Sequence, residues 1–207
     1  MIEKKHKRLE LLDLPAEYSN LDQTLNSAFM ILEDASKNRR SLFHTPTLST
    51  FDGNRVSIRT MVLREFDPDK RLIRFHTDYR SIKIQQLKKD SHGAVHGYDP
   101  SLKIQIRLDG KINLHHKDEI TKGSWELSKD MSKECYFVGG PPGSKIDDPT
   151  EYEPSTFNLK TFNGFDNFCV IVFEIESMEF LYLKKSGHRR AMHNWSTGEH
   201  QASWLIP

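Results

Sequence analysis

Residues 74–90 read RFHTDYRSIKIQQLKKD, and they gather Thr77, Arg80, Ser81 and Lys83 at a joint where a β-type run gives way to a helical one. Two hydroxyls, two cations and the free amides of a helix start are the groups that hold a phosphate. A capped surface helix with a solvated basic face carries the same residues, so the joint alone leaves both readings open. Upstream, RTMVLRE (Arg59 to Glu65) sets Arg59 and Arg64 at the two ends of an apolar stretch. A guanidinium in a half-buried strand requires an anion or hydrogen-bond acceptors. It serves either a surface carboxylate or an anionic, planar ligand beside the strand. Downstream, Gln105 offers an amide that both donates and accepts, which suits the edge of a heterocycle, although exposed strand glutamines are ordinary.

The elements that must position these groups follow from periodicity. Leu21, Leu25, Ala28, Leu32 and Ala35 form one helical stripe, with Ser19 or Asn20 as the cap. Turn signals at Asp52-Gly53-Asn54 and Asp67-Pro68-Asp69 divide residues 45–78 into three strands, one of them running unbroken through Arg59–Glu65. A helix is predicted from Ser81 to Lys89, buried through Ile82 or Ile84 and Leu87. Strands follow at 93–99 and 103–115, the second with Ile104, Ile106 and Leu108 on its dry face. Residues 117–130 and 131–138 read as helical. Residues 139–168 read as a long loop with one helix, and such loops inside compact domains are more often functional than accidental. A last antiparallel set covers 169–183, 188–195 and 202–207. About seven strands with short helices predict a single domain, mainly β, built as a closed or partly closed antiparallel barrel.

Composition narrows the partners. The chain has 207 residues with Lys+Arg 30 against Asp+Glu 29, so neither nucleic acid nor an anionic membrane is expected. No apolar run reaches the roughly 20 residues of a membrane span, and the charged N-terminus lacks the apolar core of a secretion signal. A cytoplasmic location with both cysteines, Cys135 and Cys169, reduced is the expectation. The ten histidines invite a metal reading. However, His115 and His116 are strand neighbours that point to opposite faces, and so are His188 and His193 by their spacing, so no metal is expected. The KKSGHRR stretch could meet a polyanion, but it lacks the aromatic interleaving that stacks bases.

Taken in order, these pieces form a series: Arg-x-x-Val-Leu-Arg, a strand ending Phe-His-Thr, Arg-Ser-x-Lys at a helix start, then Gln-x-Arg-x-x-Gly. The series resembles the FMN-binding split-barrel family related to pyridoxamine 5′-phosphate oxidase, from about Arg55 to Leu114. It resumes more loosely from Glu179 to the end. The resemblance implies a homodimer with FMN in the cleft between chains. It implies that Arg59 and Arg64 reach the flavin and its phosphate side, and that Met61 and Val62 give backbone contacts to the ring. His76 and Thr77 would lie near the flavin and ribityl chain, Ser81 and Lys83 at the phosphate, and Gln105 at the flavin edge. Where the oxidases have Ser-Arg-Lys this chain has Ser81, Ile82 and Lys83, and Arg80 is expected to restore the missing charge.

The residues that grip substrate in the oxidases are less well matched. Tyr136 and Ser144 fit the family's phosphate-gripping Tyr and Ser, but Gly140 stands in place of its arginine. Loss of such a charged contact costs about 1.5–3 kcal/mol. Arg189 matches an arginine of the C-terminal substrate run, Ala191 stands at its histidine, and His193 at its final arginine. The flavin-flanking tryptophan falls near Leu181 and Tyr182. The expectation is therefore an FMN-dependent oxidoreductase acting on a small molecule other than the vitamin phosphate, with no catalytic acid or base assigned. The alternatives are a true pyridoxamine/pyridoxine 5′-phosphate oxidase and a non-catalytic flavin or tetrapyrrole carrier.

Overall fold

The computed structural model describes residues 12–152 and 163–207. Helix α1 spans Leu21–Lys37 and begins with a capping box, in which Asn20 Oδ1 accepts from the Gln23 amide and Gln23 Oε1 accepts from the Asn20 amide. Its stripe, including Ala28, Ile31, Leu32 and Ala35, is buried against the sheet. A short 3₁₀ turn at Leu42–His44 leads into the β structure.

Nine strands form one antiparallel sheet: β1 Thr47–Phe51, β2 Val56–Thr60, β3 Leu63–Asp67, β4 Leu72–Asp78, β5 His92–Asp99, β6 Ile104–His115, β7 Phe168–Tyr182, β8 Arg189–Asn194 and β9 Gln201–Leu205. The path is β2-β1-β5-β6-β7-β4-β3, with β8 on β7 and β9 on β8. One edge of the long β7 is shared: its first half pairs with β4 and its second half with β8, while β6 runs along the other edge.

The sheet is mainly antiparallel, as the sequence predicts, but it does not close, and it has more strands than the seven expected. The run Arg59–Glu65 is two strands rather than one. Thr60 ends β2, Leu63 begins β3, and only Met61 and Val62 lie between. Yet β2 and β3 are the opposite ends of the strand path. So short a link spans about 10 Å at most, so the sheet must curl until its two edges nearly meet. The Met61 amide bonds the Pro46 carbonyl rather than a partner in β3, which fixes the bend.

Burial follows the alternation of β7. Ile171, Phe173 and Ile175 enter the main core, while Phe168, Val170 and Val172 turn to a second cluster with Tyr136, Leu72 and Trp125. Helix α2 (Ile82–Lys89) follows β4, and α3 (Glu119–Leu127) covers the second cluster. In α2 the buried residues are Ile84, Gln86 and Leu87, whereas Ile82 is exposed. Short helices α4 (Asp130–Lys133) and α5 (Gly164–Asn167) complete the described chain, with 3₁₀ turns at Glu134–Tyr136 and Pro149–Tyr152. Part of the 139–168 loop lies outside the described residues. Gly110 marks a register shift in β6, and a Cβ there would meet the Glu174 carbonyl oxygen at 1.9 Å.

Candidate functional site

At the strand-to-helix joint the hydroxyls do not cap the helix. Ser81 occupies the N-cap position of α2, but its side chain accepts no helix amide. Instead its hydroxyl donates to the Asp78 carbonyl at 2.7 Å, and its oxygen accepts from Lys83 Nζ at 3.0 Å. Lys83 Nζ also donates to Thr77 Oγ1 at 2.9 Å. The hydroxyls are therefore organised around the lysine, not around the helix amides.

Arg59 completes the group from β2. Its guanidinium donates to Thr50 Oγ1 (2.7 Å), to Gln86 Oε1 (3.1 Å) and to the Leu48 carbonyl (3.3 Å). Gln86 is itself held, accepting from Thr50 Oγ1 at 2.7 Å and donating to Ser57 at 2.9 Å. Among the described residues, no carboxylate forms an ion pair with Arg59 or Lys83. Burial first, and then the Arg59 charge, push the Lys83 pKa down. Two half-buried cations whose hydrogen-bond partners are neutral disfavour each other, the more distant Asp78 charge offsetting this only in part, and a phosphate between them would relieve that cost. Cys169, opposite Thr77 on β7, does not supply the charge, because burial pushes its thiol up to about 12.

Arg80 behaves otherwise than expected. Its guanidinium folds back onto Asp78, with Nε to Oδ1 at 3.0 Å and Nη2 to Oδ2 at 2.7 Å. Its charge is neutralised by a buried carboxylate and does not add to the Lys83 group.

The remaining cofactor candidates are dispersed. Met61 is buried and Val62 half-buried in the link between β2 and β3, beside Arg59. Arg64 and His76 face away from Thr77, because neighbours on a strand point to opposite sides. They line a cleft of about 470 Å³ between the β3–β4 hairpin and α3. Gln105 on β6 accepts through Oε1 from His96 Nε2 at 3.2 Å, and two strands, β5 and β1, separate it from Arg59 on β2.

The substrate candidates do not share one place either. Tyr136 is buried edge-on to Phe168 and Trp125, and burial holds its hydroxyl well above the usual tyrosine range. Ser144 donates to the Pro141 carbonyl and shares a small pocket with Cys135 and Gly140. Arg189 begins β8 in a separate cleft with Tyr18 and Trp204. His193 is fully buried: Nε2 lies 2.8 Å from Thr24 Oγ1 and Nδ1 lies 3.0 Å from His200 Nε2. His200 and Trp195 stack on it. Sequence reasoning missed Thr50 and Gln86, the residues that aim Arg59. A buried glutamine within a helix was their one available signal, and nothing local separated it from a core residue.

No group of histidine, cysteine or carboxylate side chains among the described residues could hold a metal ion, and no described helix is long and apolar enough to cross a membrane.

Comparison with known proteins agrees with this geometry. Residues 26–116 match the family profile described as pyridoxamine 5′-phosphate oxidase, FMN-binding domain. The chain is 26% identical over 160 residues to pyridoxine/pyridoxamine 5′-phosphate oxidase 2 of Arabidopsis thaliana, covering 72% of this chain and 78% of the relative. In three dimensions it is similar to a pyridoxamine 5′-phosphate oxidase-related, FMN binding protein of Nostoc punctiforme, with TM-score 0.71, 20% identity, and coverage of 87% of this chain and 95% of that one. It is also similar to PhzG of Burkholderia lata in complex with tetrahydrophenazine-1-carboxylic acid, with TM-score 0.70, 19% identity, and coverage of 94% and 95%. The matched FMN-binding domain covers the Arg59–Lys83 cluster, and the split-sheet fold is shared with these structures over most of the chain: residues 26–116 match the pyridoxamine 5′-phosphate oxidase FMN-binding domain, and the chain is similar to the FMN-binding split-barrel proteins related to that oxidase.

Proposed function

We propose that the protein is an FMN-dependent oxidoreductase whose substrate differs from pyridoxine 5′-phosphate. The observation that carries the reading is the pair of Arg59 and Lys83, close enough for the Arg59 charge to lower the Lys83 pKa and hydrogen-bonded only to neutral groups among the described residues. The donor set fits a phosphate monoester. Lys83 and Arg59 supply charge, Ser81 and Thr77 supply hydroxyls, and the uncapped start of α2 supplies amides. Thr50 and Gln86 hold the guanidinium in one orientation, so little side-chain freedom is lost on binding.

When bound there, FMN supplies hydride and electron transfer at its ring. The chain's own part is to bind and orient. The Met61–Val62 link lies next to Arg59 and is the nearest backbone along which the ring could lie. Gln105 is too far along the sheet to join Arg59 within one chain, so it reaches the same nucleotide across a homodimer. Val56 and Ile58 on the edge strand β2 are 67% and 70% exposed and form an apolar surface suited to that second copy. The Gly140 substitution removes the cation that grips the vitamin phosphate in the oxidases, and this is the reason for assigning a different substrate.

The test is direct. The purified protein should take up FMN at micromolar concentration, turn yellow and be reduced by a nicotinamide or another donor. It should oxidise pyridoxine 5′-phosphate poorly. A protein that stays colourless with added FMN sinks the cofactor reading, uptake without any turnover favours a flavin carrier, and brisk oxidation of the vitamin phosphate makes it a true oxidase.

A further inference from the structure

We propose that Gln86, oriented by Ser57, is the positioning residue that makes the Arg59–Lys83 cluster select a phosphorylated flavin over riboflavin. It aims Arg59 without pairing its charge. The inference rests on the reading of that cluster as the seat of the FMN phosphate.

Two packed faces bring the residues together. On β2, Ser57 and Arg59 are two apart and share the half-buried face, while Val56 and Ile58 look outward. On α2, Lys83 and Gln86 are three apart and lie on one side of the helix. Thr50 on β1 pairs in register with Ser57 and bonds to both Arg59 and Gln86.

These hydrogen bonds can run in only one direction. Gln86 Nε2 donates to Ser57 Oγ at 2.9 Å, which turns Oε1 toward Thr50 and Arg59. Oε1 accepts twice, from Thr50 Oγ1 at 2.7 Å and from Arg59 Nη2 at 3.1 Å, so both its lone pairs are filled. Thr50 commits its one proton to Gln86, and its oxygen then accepts from Arg59 Nη1 at 2.7 Å. A reversed amide would set its NH2 group against the Arg59 donors and break the series. Ser57 therefore fixes which end of Gln86 the guanidinium meets.

The amide's neutrality matters as much as its direction. Gln86 is buried, and it gives Arg59 an acceptor but no counter-charge. A glutamate of the same length would place a carboxylate on Arg59, on the helix face that also carries Lys83, and supply an anion from within the chain. With glutamine there, burial and the Arg59 charge keep the Lys83 pKa down, and the cluster is left short of an anion. The phosphate of FMN supplies it. Riboflavin ends in a hydroxyl and does not.

The experiment titrates FMN and riboflavin by flavin fluorescence into the full chain, its Gln86→Glu variant and its Ser57→Ala variant. The parent should bind FMN more tightly than riboflavin. Gln86→Glu should weaken FMN roughly tenfold or more, the worth of one hydrogen bond to a charged group. Its riboflavin affinity should match the parent's, and without flavin it should melt no lower. As pH falls, its FMN affinity relative to the parent at the same pH should recover, because a neutral carboxyl group again accepts from Arg59 and donates to Ser57. Ser57→Ala should weaken FMN by a smaller factor and spare riboflavin, whereas a merely structural role would move both flavins together. The proposal is overturned by an unchanged FMN affinity in Gln86→Glu, by equal losses for the two flavins, or by no recovery at low pH. A parent that binds both flavins equally refutes the phosphate reading itself, before the variants are compared.

Discussion

Lys83 Nζ lies 2.9 Å from Thr77 Oγ1, so the last turn-facing hydroxyl of β4 and the first basic side chain of α2 meet at one point. With Ser81 Oγ at 3.0 Å, the ammonium is held by two oxygens that carry no charge. The arrangement keeps a half-buried cation fixed and available to an anion.

Replacing Lys83 and Ser81 together by alanine should weaken FMN far more than riboflavin, because only FMN carries the phosphate. A lost hydrogen bond to a charged group is worth about 1.5–3 kcal/mol, which is roughly ten- to a hundredfold in affinity. Fluorescence titration of both flavins checks this. Equal losses for the two would remove the phosphate from this site.

Stability should fall on mild acidification. His76 and His193 are both held down to about 4, by burial first, against an ordinary value of 6.5. In the native state they stay neutral while the unfolded chain takes up protons. Their contribution is therefore fully present above pH 6.5 and is lost as pH falls from 6.5 toward 4. Urea midpoints measured across that window should drop steadily, and His193→Gln should flatten the slope. A slope unchanged by that variant would show that His193 is not the group being titrated.

The dimer expectation rests on the apolar edge of β2. Ile58→Glu places a charge on a side chain that is 70% exposed in one chain, so the fold itself should tolerate it. Sedimentation should show a dimer for the parent and a monomer for the variant, with FMN affinity reduced at least tenfold as Gln105 is lost from the site. A parent that sediments as a monomer refutes the shared site.

Gly110→Ala tests the register shift between β6 and β7, where Glu176 of β7 is the extra residue. The added Cβ would lie 1.9 Å from the Glu174 carbonyl oxygen, a backbone atom that cannot swing aside. The cost should reach about 3 kcal/mol, the upper end of ordinary overpacking, read as a large fall in the thermal midpoint. A neutral substitution would mean that β6 and β7 can separate at this register.

The local content of the fold was legible in the sequence. The stripe of α1, the β5 and β6 strands and the alternation of Ile104, Ile106 and Leu108 follow from side-chain period, which neighbouring residues set by themselves. The types gathered at Thr77, Ser81 and Lys83 were visible for the same reason. What only the tertiary structure decided was which partners they meet. Arg59 and Arg64 sit on one apolar run but belong to different strands, because the Met61–Val62 link crosses from one sheet edge to the other. Arg80 bonds to Asp78 and leaves the cluster, while Thr50 and Gln86 enter it from distant positions. Curling of the sheet and strand pairing join residues far apart in sequence, and the geometry of a charged group depends on those long-range neighbours rather than on adjacent ones.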